Sequence, residues 1–255
     1  MANVLNINVG ELEFHKNEEL GNENLERFRL YVERRLAREP VSKIINLKAF
    51  WNHDFFVNRD VLDPRQDSET MIEAILKDFP ESVAGKDRIK ILELGVGSGC
   101  LLLTLLKIFK NAEGIGIDID EKALSVAQTN AKRLDVKNVN FMLGNWNDNL
   151  TGYFDIVLSN PPYVKTDELD NLQDEIKFHE PGIALDGGQS GLECFCQIAG
   201  NIGKNVNKQS KIYIEIGQNQ DNDVINIFKN NNFKLMGKEK DLGHVNRILV
   251  FALDE

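Results

Sequence analysis

Ile89-Lys90-Ile91-Leu92-Glu93-Leu94-Gly95-Val96-Gly97-Ser98-Gly99-Cys100 decides the fold of this chain. Ile89 to Leu94 is a mostly apolar run closed by glycine, which predicts a buried strand. The glycines that follow make a loop, and Cys100 to Phe109 continues as an apolar helix. A glycine loop carries weight as a binding element when it follows a strand and opens a helix, as this one does. Its spacing is not that of a dinucleotide site, which places glycine first, third and sixth. The sixth position is Cys100; the first, third and fifth are Gly95, Gly97 and Gly99. That pattern lets backbone approach a ligand closely without the pyrophosphate fingerprint.

Downstream, strands and helices alternate. Strands are predicted at Gly114 to Ile117, Val139 to Leu143, Phe154 to Leu158 and Ile212 to Ile216. Between them fall helices at Glu121 to Leu134, capped by Asp120, and near Leu192 to Ile202. A helix at Val224 to Phe228 precedes two last strands, around Phe233 to Met236 and Ile248 to Phe251. Such alternation implies an α/β fold with a parallel, doubly wound sheet. The last two strands lack a helix between them and should form an antiparallel hairpin at one edge. Upstream, residues 1–20 show no clear pattern. A helix is expected from Asn24 to Arg38, with Leu25, Phe28, Val32 and Leu36 as its apolar stripe. Short strands across 41–66 and a helix carrying Met71, Ile72 and Ile75 complete the chain. This divides it into a short helical N-terminal region, 1–45, and a larger α/β domain, 46–255.

The chemistry gathers at strand ends. After the strand ending near Leu158 comes Asn160-Pro161-Pro162-Tyr163. Neither proline has an N–H for a sheet ladder, so the strand stops and Asn160 stands at its tip. Proline also holds the preceding residue extended. Ligands of open α/β sheets bind just beyond the carboxyl ends of the strands. Asp118, at the tip of the second strand and about 20 residues past the loop, is placed to accept both hydroxyls of a ribose. Glu93 offers a carboxylate to an amino group. A nucleoside bearing an amino-acid tail satisfies all three, and S-adenosylmethionine is such a molecule.

Four stretches resemble the HemK/PrmC-type protein N5-glutamine methyltransferases, which modify class I peptide chain release factors. They are Glu93 to Cys100; Asn160 to Tyr163; Glu180-Pro181-Gly182-Ile183-Ala184-Leu185-Asp186-Gly187-Gly188 with Gly191-Leu192; and Phe50-Trp51, Val57-Asn58 and Pro64-Arg65 through Glu69. The resemblance runs from about Leu20 to the C-terminus, and the third stretch is its most specific part. It implies a Rossmann-like class I methyltransferase sheet, a cytoplasmic enzyme, and methyl transfer to the glutamine of a Gly-Gly-Gln motif. It implies a cofactor site at Glu93, Gly95, Val96, Gly97, Ser98, Gly99, Asp118, Trp146 and Asn160. It implies a substrate site at Asn160, Pro161, Pro162 and Tyr163, of which Asn160, Pro161 and Tyr163 are catalytic. In that site the Asn160 side-chain oxygen and the Pro161 carbonyl would accept the N–H bonds of the glutamine amide, with Tyr163 packed on its plane. No base of matched pKa is evident near the motif.

The chain departs from the family pattern in places. The N-terminal helical domain looks truncated to its final helix. Asp63 stands where an aliphatic residue is common, Gln66 where proline is common, and Asn145 where aspartate is usual.

Composition narrows the alternatives. A net charge of −10 and a pI near 5.0 disfavour direct nucleic-acid binding, which needs clustered cations. An enzyme methylating the exocyclic amine of adenine is the main rival, since the same four residues can grip such a group. Arg27, Arg29, Arg34, Arg35 and Arg38 form the one basic cluster, read as a solvated helix face, with docking to an acidic patch on a release factor as the alternative. No apolar run approaches the roughly 18 residues of a membrane span. Cys100, Cys194 and Cys196 suggest no disulfide framework, and Cys194-x-Cys196 reads as core packing rather than a metal site.

Overall fold

Strands that are apolar on both faces need helices on both sides of the sheet. The computed structural model describes residues 1–80, 88–148 and 150–254, and it places them so. The chain opens with helices α1 (Ala2–Leu5), α2 (Asn22–Leu36) and α3 (Val41–Ile45), then the hairpin β1 (Lys48–Phe50) and β2 (His53–Phe55). Next come α4 (Glu69–Asp78), β3 (Lys90–Leu94), α5 (Cys100–Ile108), β4 (Glu113–Asp118), α6 (Glu121–Arg133), β5 (Val139–Leu143) and β6 (Ile156–Ser159). The chain continues through α7 (Asp174–Lys177), α8 (Glu193–Ile202), β7 (Lys211–Glu215), α9 (Asp221–Asn230), β8 (Phe233–Lys240) and β9 (Asn246–Leu253).

Among the described residues the main sheet has seven strands in the order β5-β4-β3-β6-β7-β9-β8. The five from β5 to β7 are parallel, and β9 inserts antiparallel between β7 and β8. This is the expected edge hairpin. On one face, Ile91, Leu158 and Tyr213 pack with Met71 and Ile75 of α4 and Leu102 and Leu105 of α5. On the other, Leu92, Val157 and Ile214 pack with Phe195 of α8 and Phe228 of α9. The strand order reverses on either side of β3, which opens a crevice beyond its carboxyl end.

The N-terminal region is richer than a single helix. Besides α2 it holds α1, α3 and a 3-10 segment at Val9–His15. Helix α2 starts at Asn22, two residues before the expected cap. Its stripe is buried only in part: Leu25 and Phe28 are half-buried, whereas Val32 is 40% and Leu36 77% exposed. The end of α2 instead turns Arg34 inward, to Glu39 at 2.7 Å and the carbonyls of Lys43 and Ile44 at 3.2 Å. Arg35 and Arg38 pair with Glu175 of α7 at 3.3 and 3.4 Å. Arg34 thus fixes the end of α2 to the body of the chain, while Arg35 and Arg38 stay largely exposed in their pairs with Glu175.

A buried ionic cluster makes the second attachment. Lys43 of α3, 2% exposed, donates to the Asn58 carbonyl at 2.7 Å and to the Val61 carbonyl. It also pairs with Asp63 at 3.4 Å and Glu180 at 3.2 Å. The departure at Asp63 is thus answered within the chain, by Lys43 and by the Ser42 hydroxyl, which donates to it.

Candidate active site

The β3–α5 loop is built to leave space. Gly95 and Val96 donate their N–H groups to the Ile117 carbonyl at 2.8 and 2.9 Å, tying the loop to the end of β4. Gly97 has φ +52°, and a Cβ there would meet nothing within 4 Å. It would project into a cavity of about 390 Å³ lined by Glu93, Gly95, Val96, Gly97, Ser98, Asp118, Trp146, Asn160 and Pro162. A side chain at Gly97 would both strain the backbone and fill part of that volume.

Asp118 is aimed by the backbone. Its Oδ2 accepts from Gly97 N at 2.8 Å and its Oδ1 from Asp120 N at 3.0 Å. Burial pushes its carboxyl above the usual range, and these hydrogen bonds pull it back. Each oxygen keeps acceptor capacity beyond its backbone bond, which suits a vicinal diol. Glu93 is 2% exposed and accepts from Leu102 N at 3.0 Å, in the first turn of α5. Burial drives it well above an ordinary carboxyl. Trp146, at φ +54°, is fixed by an Nε1 bond to Gln197 of α8 at 2.6 Å. Its ring stands 4.0 Å from where a Cβ on Gly95 would lie. Ser98 is buried, and its carbonyl accepts from Asn130, which also bonds both backbone groups of Phe56. An open glycine cradle, a diol acceptor, a buried carboxylate and an indole face fit a nucleoside with an amino-acid tail.

The prolines end β6 as expected. Ser159 is its last residue, with its Oγ donating to the Leu94 carbonyl at 2.8 Å. Asn160 follows in the cavity wall, and its Nδ2 donates to Ser68 Oγ at 3.3 Å. No backbone N–H among the described residues donates to the carbonyls of Asn160 or Pro161. Pro162 lines the cavity, while Pro161 is buried beside it. Tyr163 takes another place. Its ring packs on the core, with Cδ2 3.0 Å from a Cβ built on Gly217, and burial pushes its hydroxyl up to about 12. The 180–191 segment is zipped along this motif by Val164 N to Leu185 O at 3.0 Å and Gly187 N to Val164 O at 2.8 Å. A Cβ on Gly187 would lie 2.8 Å from the Pro162 carbonyl, so only glycine permits that approach.

Several site residues escape a reading of the sequence. Ser68, at the head of α4, touches Asn160 across 92 positions. Glu215, at the end of β7, is 1% exposed and its Oε2 has no hydrogen-bond partner. One sequence signal could have found it: a carboxylate inside the apolar run Ile212 to Ile216, on the ligand side of the sheet. The cysteine pair also differs from expectation. Cys196 is exposed and Cys194 half-buried in the cavity wall. The helical period gives the buried face of α8 to Phe195, Ile198, Ala199 and Ile202, leaving the cysteines on its flanks. Among the described residues no group of His, Cys, Asp and Glu could hold a metal, and no helix is long and apolar enough to cross a membrane.

Comparison with known proteins shows the family to which the fold belongs. Residues 85–248 match the family described as a methyltransferase domain, and residues 1–45 match the PrmC N-terminal domain. The chain is 39% identical to the release factor glutamine methyltransferase of Agrobacterium fabrum over 222 residues, which cover 86% of this chain and 76% of that protein. It is also 39% identical to the enzyme of the same name from Caulobacter vibrioides over 234 residues, 91% of this chain and 80% of that one. A solved methyltransferase from Pyrococcus furiosus shares the fold, with a TM-score of 0.58 at 18% identity, across 90% of this chain and 98% of that one.

Proposed function

This chain belongs to the family of release factor glutamine methyltransferases, and we propose that Asn160 presents the acceptor glutamine of a class I release factor to the methyl donor. The reaction is transfer of a methyl group from S-adenosylmethionine to a glutamine side-chain nitrogen, and the acceptor we assign is the glutamine of the Gly-Gly-Gln motif. One observation carries the assignment: the Asn160 side chain stands in the wall of the same cavity as the glycine loop and Asp118, with its Nδ2 engaged by Ser68.

When bound, S-adenosylmethionine supplies an electrophilic methyl on a sulfonium. Asp118 would hold the ribose hydroxyls. Glu93 and the backbone of Gly95, Val96, Gly97, Ser98 and Gly99 would hold the amino-acid end, and Trp146 would flank the base. The acceptor nitrogen is a poor nucleophile because its lone pair is delocalised into the carbonyl. Asn160 Oδ1 and the Pro161 carbonyl would each accept one of its N–H bonds, fixing the nitrogen and enriching it in electrons. Pro162 would shape the wall beside it, and Tyr163 would brace the motif from the core side. Well-oriented reactants can gain on the order of 7–11 kcal/mol in this way. As the N–C bond forms, the S–CH3 bond would break with its electron pair left on sulfur as a neutral thioether, and the nitrogen would shed one proton to water.

Residues 1–45 would then be a helical docking region and 46–255 the catalytic domain. The cytoplasm, where translation ends, would be the place of action. Purified release factor and its variant with the Gly-Gly-Gln glutamine replaced by alanine, each incubated with labelled methyl donor, test the reading. Label should enter the first and not the second; equal labelling of both would refute it.

A further inference from the structure

A primary amide turned about its last bond keeps its shape but exchanges an acceptor for a donor. Asn160 serves an acceptor nitrogen in one orientation only, with Oδ1 toward the cavity to meet an N–H. The Nδ2 bond to Ser68 Oγ at 3.3 Å has that sense. A serine hydroxyl donates or accepts equally well, so Ser68 alone does not choose it.

Behind both stands Glu215. Strands β6 and β7 run parallel with Ser159 opposite Ile214 as their last registered pair; Asn160 and Glu215 are the next residues along each chain, and Asn160 is among the groups that act on the carboxylate. The carboxylate is 1% exposed, flanked by Ile214, Ile216 and Ile248, and does not line the cavity. An ionised carboxylate only accepts hydrogen bonds. A carboxylate beside the Ser68 hydroxyl and the Asn160 amide would draw the Ser68 proton, leave that oxygen to accept from Asn160, and favour the Nδ2 end of Asn160 itself. The other groups that face it are Arg247 from β9 and Asp67 from the turn before α4, with Cys100 and Tyr163 sensing its charge. Arg247 is taken up by Asp241 at 2.9 Å and by the Ile216 carbonyl at 3.3 Å. An apolar residue would fit this part of the sheet at less cost than a charge; the charge must serve something that a neutral side chain would not.

We propose that Glu215 is a positioning residue, whose carboxylate, directly and through Ser68, locks the Asn160 amide with Nδ2 inward and Oδ1 toward the acceptor nitrogen. The inference rests on the role of Asn160 given above. Burial raises Glu215 to about 7, while the neighbouring Ser68 and Asn160 side chains and the charge of Arg247 favour its ionised form. Protonation in the neutral range would give the carboxyl a donor of its own and unlock the amide.

Two readouts on the full chain test this. In wild type, kcat on the release factor should fall as pH drops below about 7. In Glu215→Gln that acid limb should vanish and kcat should be lower by roughly tenfold, the loss of one orienting hydrogen bond to a charged group, with S-adenosylmethionine affinity within about twofold of wild type. Ser68→Ala keeps the carboxylate and should keep the limb. The side-chain NH2 protons of Asn160, followed by NMR without any acceptor, should titrate near pH 7 in wild type and not in Glu215→Gln. An Asn160 amide that does not titrate, or a Glu215→Gln enzyme that keeps both wild-type kcat and the acid limb, overturns the proposal. If wild type fails to methylate the release factor while the amide titrates, the lock stands and the substrate assignment falls.

Discussion

Replacing Glu215 by glutamine should stabilise the protein, and only at the alkaline end. Burial raises this carboxyl from 4.5 to about 7. A group whose pKa is higher in the folded state binds its proton more tightly there. Its favourable contribution is complete below the unfolded value near 4.5 and is lost as pH rises through about 7. At about 1.4 kcal/mol per pH unit, the rise corresponds to about 3 kcal/mol of stability missing from wild type above pH 7. Glutamine keeps the shape and cannot ionise. Urea denaturation of both proteins should give equal stabilities near pH 4.5 and a gap of about 3 kcal/mol in favour of the variant near pH 8. For a chain of this size that gap is a rise in Tm of roughly 6–12 °C. A gap that is absent at pH 8, or equally large at both pH values, would refute the reasoning. With the predicted gap the variant is more stable and slower, the mark of a site that gives up stability for geometry.

Asp118→Ala should weaken S-adenosylmethionine binding, at about 1.5–3 kcal/mol for each hydroxyl bond lost to a charged acceptor; wild-type affinity by calorimetry would sink the ribose assignment. Asn160→Ala should leave cofactor affinity within a few-fold yet remove most turnover, and an equal loss of both would make Asn160 chiefly a cofactor contact. Lys43→Met strands the buried carboxylates Asp63 and Glu180, held at 3.4 and 3.2 Å. Breaking such a network costs about 3–5 kcal/mol, so chemical denaturation should show a loss of that order, and a change under about 1 kcal/mol would mean the cluster contributes as little as a surface pair.

The doubly wound core was legible because its signals are local. Strand β3, the glycine turn and helix α5 are contiguous, and the double proline stops β6 by lacking N–H groups. Asp120 caps α6 as its position suggests, accepting from Lys122 N at 2.9 Å. What the sequence hid depends on partners far along the chain. The apolar stripe of α2 shows helical spacing, yet what it meets is decided by α1, α3 and Glu175. Arg35 and Arg38 look free until α7 lies beside them, and they dock the chain onto itself. Glu215 is silent as a lone acid in a strand; the β6–β7 pairing carries it to the strand end at which Asn160 stands. Tyr163 is adjacent to the site in sequence, while its ring belongs to the core at Gly217.

The central claim is that the cavity at the ends of β3, β4 and β6 aims a methyl group at one amide nitrogen. Fragmentation mass spectrometry of a class I release factor, incubated with the enzyme and S-adenosylmethionine, tests it most directly. A single added methyl on the side-chain nitrogen of the Gly-Gly-Gln glutamine, absent when Asn160→Ala replaces wild type, is the predicted result. A methyl on any other residue of the factor, or undiminished transfer by Asn160→Ala, would contradict it.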